Sequence, residues 1–262
     1  MTDATHALIQ HTSDARGVHQ ICLNRPDAFN ALSRELMTAL QQSLDVVAQD
    51  PQARVVVVSA QGKAFCAGHD LREMRASPSL AYYQALFKQC SRMMMSVQRL
   101  PVPVIAVVNG IATAAGCQLV AMCDLAVSSH ASKFAVSGVN LGLFCSTPSV
   151  ALSRNMSRKA AFEMLVTGDF ITAEQALVKG LVNAVVAPEA LDAAVQRYVD
   201  SILAKPRTAI AMGKKLFYEQ LEQPLEEAYA NAEHTMACNM MDDTALEGVQ
   251  AFIEKRNPSW KT

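Results

Sequence analysis

Hydrophobic residues follow a strand period in some segments of the chain and a helical period in others. Val18–Leu23 alternates, whereas residues 54–59 contain four consecutive valines. The first pattern predicts a half-buried strand, and the second predicts a strand buried on both faces. Between these strands, apolar residues recur every three or four positions from residue 37 to residue 47, behind Ser33, a residue suited to cap a helix. The chain therefore begins as strand, helix, strand.

Strands and helices alternate up to about residue 187, and from Pro206 onwards the pattern is helical. We predict further strands at residues 104–108, 125–128 and 134–136, and helices near 86–100, 115–122, 158–166, 172–179 and 189–204. An apolar stripe between Leu225 and Met240 could pack on the chain's own core or on a neighbouring subunit. We expect an α/β protein with a core over residues 1–197 and a helical region over residues 198–262.

Composition and charge narrow the function. Of the 262 residues, 51% are hydrophobic and 18% are charged, which favours a well-packed protein over a disordered one. The net charge is −1 and no basic stripe occurs, so we expect no nucleic-acid partner. The longest apolar run, residues 100–108, contains Pro101 and Pro103 and is far shorter than the ~20 residues of a membrane span. We expect no membrane association.

The cysteines and histidines point to no disulfide or metal chemistry. The seven cysteines are scattered, odd in number and without a CxxC pair, and the six histidines show no HxxxH or HExxH spacing. We therefore expect reduced thiols and no metal site. Residues 1–12 lack the pattern of a secretory signal, and the early strand at Val18 argues against a transit peptide. The expected location is the cytoplasm.

Two segments of small residues are candidates for chemistry. No GxGxxG, GxxxxGK[ST] or GxSxG occurs, which weakens dehydrogenase, NTPase and hydrolase interpretations. Residues 64–71 and residues 109–119 each follow a buried strand, and the second segment opens a helix. Together they could aim two backbone N–H groups at one oxygen, which is an oxyanion hole. Tight packing at a strand–helix junction is the alternative explanation.

Motifs along nearly the whole chain resemble those of the crotonase (enoyl-CoA hydratase/isomerase) superfamily. They are Leu23-Asn24-Arg25-Pro26 with Asn30-Ala31-Leu32, residues 64–71, Asn109-Gly110 through Gly116 to Cys123-Asp124, Leu165-Val166-Thr167-Gly168, residues 176–182 and residues 251–256. The stretch 134–149 is most similar to a subgroup of enoyl-CoA hydratase domain proteins that lack the catalytic glutamates. The resemblance implies a spiral of ββα units, a C-terminal helical trimerisation region, and a homotrimer or a dimer of trimers.

The same resemblance assigns roles to particular residues. The oxyanion hole would use the backbone N–H groups of His69 and Ala115, and the substrate would be an acyl-CoA thioester. Coenzyme A would enter as part of that substrate, with no permanently bound cofactor. Its contacts would come from Ala28, Phe29, Ala67, Asp70 and Leu71, and from Phe252 and Lys255, often across a subunit boundary. An ordinary solvated lysine is an equally good interpretation of Lys255.

The three usual acid positions carry no acid. Gln118 and Gly138 stand where hydratases of this family place glutamates, and Ser146 stands where some isomerases place an acid. General acid–base catalysis is worth ~10²–10⁴-fold per group, so we predict very slow hydration of crotonyl-CoA. We also predict a gain when Gln118→Glu and Gly138→Glu are combined. Cys145 could suggest a nucleophile, but no base is visible nearby, so we expect it to line the pocket.

Three functions remain open. The first is an enzyme that works mainly through its oxyanion hole, with slow hydration as one reaction. A second is decarboxylation of a malonyl-type CoA thioester, in which loss of CO₂ creates the enolate without a base. The last is a non-catalytic acyl-CoA binder, for which loss of all the usual acids would be ordinary drift.

Overall fold

The computed structural model describes residues 7–260, which form two β-sheets and their surrounding helices. Residues 1–6, part of the segment predicted to carry no signal, lie outside the described residues. So do the outer ends of the two predicted regions, 1–197 and 198–262. The strands are β1 (Ile9–Ser13), β2 (Val18–Leu23), β3 (Val55–Ala60), β4 (Ala64–Cys66), β5 (Val104–Val108), β6 (Ile111–Thr113), β7 (Leu125–Ser129), β8 (Lys133–Ala135), β9 (Ile171–Thr172) and β10 (Ala184–Val186). The helices are α1 (Arg34–Gln49), α2 (Leu71–Ala76), α3 (Leu80–Arg99), α4 (Ala115–Met122), α5 (Ser146–Asn155), α6 (Arg158–Thr167), α7 (Ala173–Val178), α8 (Leu191–Leu203), α9 (Arg207–Gln220), α10 (Leu225–Met240) and α11 (Asp243–Ile253).

From β3 to β8, successive strands alternate between the two sheets. The larger sheet has the order β1-β2-β3-β5-β7-β10, and the smaller has the order β4-β6-β8-β9. The pairs β1/β2 and β8/β9 are antiparallel, and the remaining pairs are parallel. Each of β3, β5 and β7 is followed by a strand of the smaller sheet and then by a helix. This is the predicted spiral of ββα units, and the α/β fold class is confirmed.

The central strand of the larger sheet is buried on both faces, as its valines predict. Val56 and Val58 belong to the main core, which the two sheets share with α1, α3 and α4. Val55 and Val57 face the opposite way and join a second cluster with α8. Burying a valine stabilises the fold by about 1.5–3 kcal/mol, so this strand anchors two packed layers at once.

The two long helices of the core bury the predicted apolar stripes. Ser33 caps α1 by accepting the N–H of Leu36, as predicted. Thr172 and Gln175 form a capping box at the start of α7. The stripe residues that are buried are Met37, Leu40, Leu44 and Val47 on α1, and Leu86, Cys90, Met93 and Val97 on α3. Periodicity therefore identified which faces of these helices meet the core.

A buried ion pair attaches the C-terminal helices to the core of the same chain. Lys214 Nζ on α9 lies 2.6 Å from the Asp124 carboxylate, and the Tyr218 hydroxyl donates to that carboxylate at 2.7 Å. The N–H of Val104, at the start of β5, donates to it as well. Burial lowers the pKa of Lys214, and the adjacent carboxylate opposes that shift. The attachment is therefore polar and specific.

The predicted stripe of α10 remains exposed on the single chain. Leu225, Tyr229 and Met236 are 75%, 64% and 72% exposed. The sequence left open whether this stripe packs on the chain's own core or on a neighbouring subunit. In the structure, the chain's own core does not cover it. The predicted boundary between residues 197 and 198 falls within α8, and the division into two regions stays a prediction.

Seven of the strands and helices within residues 7–260 were not predicted: β1, β4, β6, β9, β10, α2 and α5. Strand β1 is polar and lies at a sheet edge, the other four strands have only two or three residues, and α2 and α5 flank loops. Periodicity cannot detect segments of this kind. Among residues 7–260, no helix is both long enough and apolar enough to cross a bilayer. Within the same residues, no group of three or more His, Cys, Asp or Glu side chains is placed to hold a metal ion.

Candidate active site

The first predicted donor loop runs from β4 into α2. Gly68 has a φ of +88°, a conformation that favours glycine. The chain turns at this residue, immediately before His69. Leu32 pairs with this loop, donating its N–H to Gly68 and accepting the N–H of Asp70. The Asp70 side chain then caps α2. The loop is held on both sides of His69, while no acceptor for the His69 N–H itself occurs in the described part of the chain.

The second donor loop is strained where it enters α4. Ala114 has φ 50° and ψ −121°, an unfavourable conformation for a residue with a side chain, and its N–H donates to Ala135. Such backbone strain costs about 1–3 kcal/mol and is concentrated at functional sites. Ala115 is the first residue of α4, so its N–H has no partner within the helix. Sequence reasoning did not identify Ala114, because no spacing signals a strained alanine.

The two donor loops touch each other. A Cβ built on Gly68 would lie 3.3 Å from the Ala115 nitrogen and 2.8 Å from the Ala114 Cβ. Only a residue without a side chain allows this approach. Gly116, the second residue of α4, also allows the two loops to approach each other, since a Cβ there would meet the Cys66 carbonyl oxygen at 2.1 Å. The N–H groups of His69 and Ala115, the predicted oxyanion donors, therefore lie on loops that touch each other, and neither has an acceptor among residues 7–260.

A cavity of 280 Å³ opens at these two amides. Its walls come from four parts of the chain: the first donor loop with α2, Phe87 on α3, the second donor loop, and residues 137–148. The lining residues are Ala67, His69, Leu71, Met74, Phe87, Ala114, Ala115, Ser137, Gly138, Leu141, Leu143, Phe144, Cys145, Ser146, Thr147 and Pro148. Asp, Glu, Lys and Arg are missing from this lining, so the cavity carries no fixed charge.

The imidazole of His69 is held in one wall without charge. Its ring packs edge-on against Phe87, with centroids 5.4 Å apart. Burial lowers the pKa of His69 to about 4, so the ring is neutral at physiological pH. Its Nε2 is sealed from solvent and has no partner among the described residues. Sequence reasoning had assigned this side chain no chemical role.

The three acid positions lie in different surroundings. Gln118 on α4 is buried, its Oε1 has no partner in residues 7–260, and it is not part of the cavity lining. Gly138 lines the cavity, and a Cβ there would meet the Leu143 carbonyl oxygen at 2.4 Å and the Cys145 sulfur at 2.7 Å. Ser146, the first residue of α5, also lines it. Only two of the three positions therefore face the cavity, and one has no space for a side chain.

Cys145 lies beside Gly138 as part of the cavity wall. Burial raises the pKa of its thiol, and the Gly138 N–H, which donates to the sulfur, only partly offsets this effect. The thiol is therefore protonated at neutral pH and is a poor nucleophile. This environment agrees with the prediction that Cys145 lines the pocket.

The predicted coenzyme A residues next to the donor loops form one connected surface. Ala67 and Leu71 line the cavity, and Ala67 donates its N–H to Phe29 at 3.0 Å. Phe29, which follows a short 3-10 turn containing Ala28, is 57% exposed with a φ of 51°. This turn continues from the cavity to the surface, as a site for an elongated ligand requires.

Asp70 is held by a residue that sequence reasoning did not assign to the site. Arg25 approaches its carboxylate at 2.8 Å and also donates to the Ala31 carbonyl. Burial alone would raise the pKa of Asp70, but the Arg25 guanidinium and the first N–H groups of α2 hold it below its usual value. The fully buried Asn30 completes the turn by accepting the Arg25 N–H and donating to two carbonyls. These contacts explain the Asn24-Arg25-Pro26 and Asn30 motifs.

The two C-terminal coenzyme A residues are not brought to this cavity by their own chain. Phe252 on α11 is 85% exposed and borders a separate surface depression with Trp260. Lys255 follows α11, is exposed and has a φ of 55°. Their predicted role concerns the cavity of a neighbouring subunit and stays a prediction.

Known proteins with similar sequences and structures share this architecture. The chain is 45% identical over 257 residues to enoyl-CoA hydratase domain-containing protein 3 of Xenopus laevis, covering 96% of this chain and 87% of that protein. A crystal structure described as enoyl-CoA hydratase of Mycobacterium smegmatis matches with a TM-score of 0.97 and 61% identity, covering 98% and 100% of the two chains. The crystal structure of human enoyl-CoA hydratase domain-containing protein 3 matches with a TM-score of 0.93 and 42% identity, covering 97% and 100%.

These relatives correct the prediction of a cytoplasmic protein. The frog, mouse and human proteins are all named as mitochondrial, which contradicts the cytoplasmic location expected from the sequence. The error has a physical reason, because free cysteines indicate a reducing environment without telling one reducing compartment from another.

The family itself follows from the full length of the match. The enoyl-CoA hydratase/isomerase family model matches residues 13–262, which include both donor loops, the cavity walls and the C-terminal helices. The strands that alternate between the two sheets and the contact between the two donor loops are the structural counterpart of that match. This chain belongs to the enoyl-CoA hydratase/isomerase family, with the crotonase fold.

Proposed function

We propose that this protein binds acyl-CoA thioesters and polarises the thioester carbonyl with the backbone N–H groups of His69 and Ala115. One observation supports the proposal: two loops that touch each other bear N–H groups without acceptors in residues 7–260, and His69 and Ala115 both line a cavity without charged side chains. A carbonyl oxygen placed there accepts two hydrogen bonds, which strengthen as negative charge develops on it. The site therefore favours reactions that pass through a thioester enolate.

Efficient hydration is not part of this proposal. Water addition requires one group to deprotonate water and another to deliver a proton to Cα. The lining contains only two titratable side chains, the neutral His69 and the protonated Cys145. Gln118 is not part of the lining, and its amide cannot exchange a proton at neutral pH. We expect slow hydration at best.

A second candidate reaction is decarboxylation of a malonyl-type thioester. The absence of Lys and Arg from the lining supports it, since a substrate carboxylate entering the cavity would lose its hydration without gaining a cation. The bond between Cα and the carboxylate carbon breaks, CO₂ leaves, and the electron pair passes into the enolate at the two amides. Water then protonates Cα. No protein base is needed to create the enolate.

A non-catalytic binder is the third candidate. Missing acids agree with it, but the strained Ala114 argues against it. Its conformation costs about 1–3 kcal/mol and aims the Ala115 N–H, a cost without benefit in a protein that only stores a ligand.

Calorimetry and a turnover screen test the proposal together. We expect saturable binding of butyryl-CoA, crotonyl-CoA and methylmalonyl-CoA, and turnover of at least one thioester. Absence of binding up to millimolar ligand would refute the central claim. Binding of every thioester without turnover of any would favour the non-catalytic binder. CO₂ release from methylmalonyl-CoA without hydration of crotonyl-CoA would identify the decarboxylase.

The C-terminal helices support a homotrimer or a dimer of trimers. Large apolar side chains on α10 and α11 are exposed on the single chain and are suited to a subunit interface. They include Leu225, Tyr229, Met236, Val249, Phe252 and Ile253. Light scattering at micromolar concentration is expected to give three or six times the mass of one chain, and a stable monomer would contradict this arrangement.

A further inference from the structure

The His69 side chain carries an observation that the proposed function does not use. Its ring lines the cavity, fixed edge-on by Phe87, while its own backbone N–H is one of the two oxyanion donors. Two hydroxyls of the lining do have partners within the protein: the Ser137 hydroxyl pairs with Thr113, and the Ser146 hydroxyl donates to the Phe144 carbonyl. The imidazole retains hydrogen-bonding capacity that the described residues do not use.

The position of the ring proton follows from the surroundings of the two nitrogens. Nε2 is buried from solvent and has no hydrogen-bond partner among residues 7–260. Nδ1 is not a buried atom without a partner. A buried N–H without an acceptor is rarer and more costly than a buried lone pair without a donor. The neutral ring therefore carries its proton on Nδ1, and Nδ1–H is available as a donor.

We propose that the His69 imidazole is a third, uncharged hydrogen-bond donor of the site, which selects acyl-CoA thioesters carrying an oxygen on Cα or Cβ. This inference rests on the proposed thioester binding. A carbonyl oxygen held by the His69 N–H has Cα and Cβ only two or three bonds away, within reach of a ring on the same residue. The donor wall, which consists of the lining residues Ala67, His69, Ala114 and Ala115, then contacts the acyl group as well as the carbonyl.

The test compares two ligands that differ by one hydroxyl, 3-hydroxybutyryl-CoA and butyryl-CoA, by calorimetry. We expect the natural protein to bind the hydroxy thioester roughly 5- to 10-fold more tightly, the effect of one added hydrogen bond. His69→Leu keeps the backbone donor and removes the ring, so this affinity ratio should fall to about one. His69→Gln, which retains an uncharged N–H donor, should restore part of the ratio.

Tyr82→Phe provides a matched control. The Tyr82 hydroxyl is another sealed, unpartnered polar group, contributed by α3, but it does not line the cavity. Its removal should leave the affinity ratio unchanged. Loss of the ratio in both variants would mean that it reflects general packing near α3, and this result would overturn the assignment of His69.

Two further measurements use the natural protein and need no variant. The affinity ratio should be constant from about pH 5.5 to about pH 8, because a donor that is already neutral does not titrate there. In nitrogen NMR of the histidine rings, the hydroxy thioester should shift the Nδ1–H signal of His69, and butyryl-CoA should not. These readings remain valid if His69→Leu fails to fold.

Several outcomes would overturn the inference while leaving the proposed function intact. Equal affinity of the natural protein for both ligands, an unchanged ratio in His69→Leu, or a ratio that falls as pH rises through about 6.5 would each do so. Failure of both thioesters to bind would instead refute the proposed function itself.

Discussion

The two walls of the cavity are built on different principles. The donor wall is made of backbone: Gly68 and Ala114, both with a positive φ, come directly before the two proposed donors, His69 and Ala115. The second wall, residues 137–148, presents a closely packed glycine, a protonated thiol, hydroxyls and apolar side chains. Under the proposed function the first wall stabilises charge on an oxygen, and the second has no carboxylate to move a proton. We therefore expect changes in the two walls to have different effects.

The largest effect is expected from removing one donor. Ala115→Pro deletes the N–H at the first position of α4 and also disfavours the positive φ of Ala114 before it, whereas Ala115→Gly retains the N–H and the preceding conformation. For the fastest thioester in the turnover screen, Ala115→Pro should lower kcat by about 10²–10³-fold, and Ala115→Gly should change it little. Equal losses in both variants would show that shape, and not the N–H, matters. A thermal melt checks that each variant is folded.

Packing on the second wall gives the next largest effect. Gly138→Ala forces a Cβ against the Leu143 carbonyl and the Cys145 sulfur, so we expect a loss of about 2–3 kcal/mol in the free energy of unfolding. Gly213→Ala on α9, where a Cβ meets nothing within 4 Å, should be neutral or stabilising by up to about 1 kcal/mol. Urea titration measures both. A Gly138→Ala variant as stable as the natural protein would mean that this wall is loosely packed.

The same packing changes the expected outcome of restoring both acids. The predicted gain in hydration from Gln118→Glu with Gly138→Glu requires a side chain at Gly138, where the Leu143 carbonyl leaves no space for one. We now expect the double variant to unfold or to rearrange residues 137–148. A folded double variant with fast crotonyl-CoA hydration would refute this view of the wall.

The histidine of the donor wall should make stability depend on pH. Burial lowers the folded-state pKa of His69 to about 4, below the unfolded value of about 6.5, so the unfolded state binds the proton more readily. Stability is complete above about pH 6.5 and is lost as pH falls toward 4, by up to about 3 kcal/mol. Urea unfolding at about pH 7 and pH 5 should show a smaller pH-dependent loss for His69→Gln than for the natural protein. Identical losses would mean that other groups cause the dependence.

Restoring a single carboxyl should have the smallest effect. Gln118→Glu places a carboxyl on α4 outside the cavity lining, where burial favours its neutral form. We expect crotonyl-CoA hydration to rise by less than about tenfold, because one carboxyl cannot both activate water and protonate Cα. A gain of about 10²-fold or more would show that the second wall already provides the other group.

The sequence predicted best what depends on local pattern. The buried faces of α1 and α3, the two-faced strand β3 and the caps at Ser33 and Thr172 follow from periodicity and side-chain chemistry. The spiral and the paired donor loops came from the family resemblance, because no local rule specifies which strands become neighbours. Short polar elements such as β1 left no periodic signal.

The details missed at the site all arise from tertiary contacts. These details are the backbone strain at Ala114, the ion pair of Arg25 with Asp70 and the buried, unpartnered nitrogen of His69. Each of them depends on segments that are distant in sequence. The φ of Gly138 is not positive, and the obstacle to a side chain there is the close approach of the Leu143 carbonyl, whereas Gly68 combines a positive φ with a close approach. Glycine can be required for either reason, and only the three-dimensional contact distinguishes them.

The buried carboxylate of Asp124 has a consequence for any attempt to shorten the chain. Its countercharge, Lys214, and its hydroxyl donor, Tyr218, both come from α9, some 90 residues later. A fragment ending at residue 197 would retain the acid and lose both partners, and without α9 the carboxylate would lie open to water. Of the three groups that contact it, only the Val104 N–H would remain. Shortening the chain at this point therefore strips the outer layer from the start of β5 before any neighbouring subunit is involved.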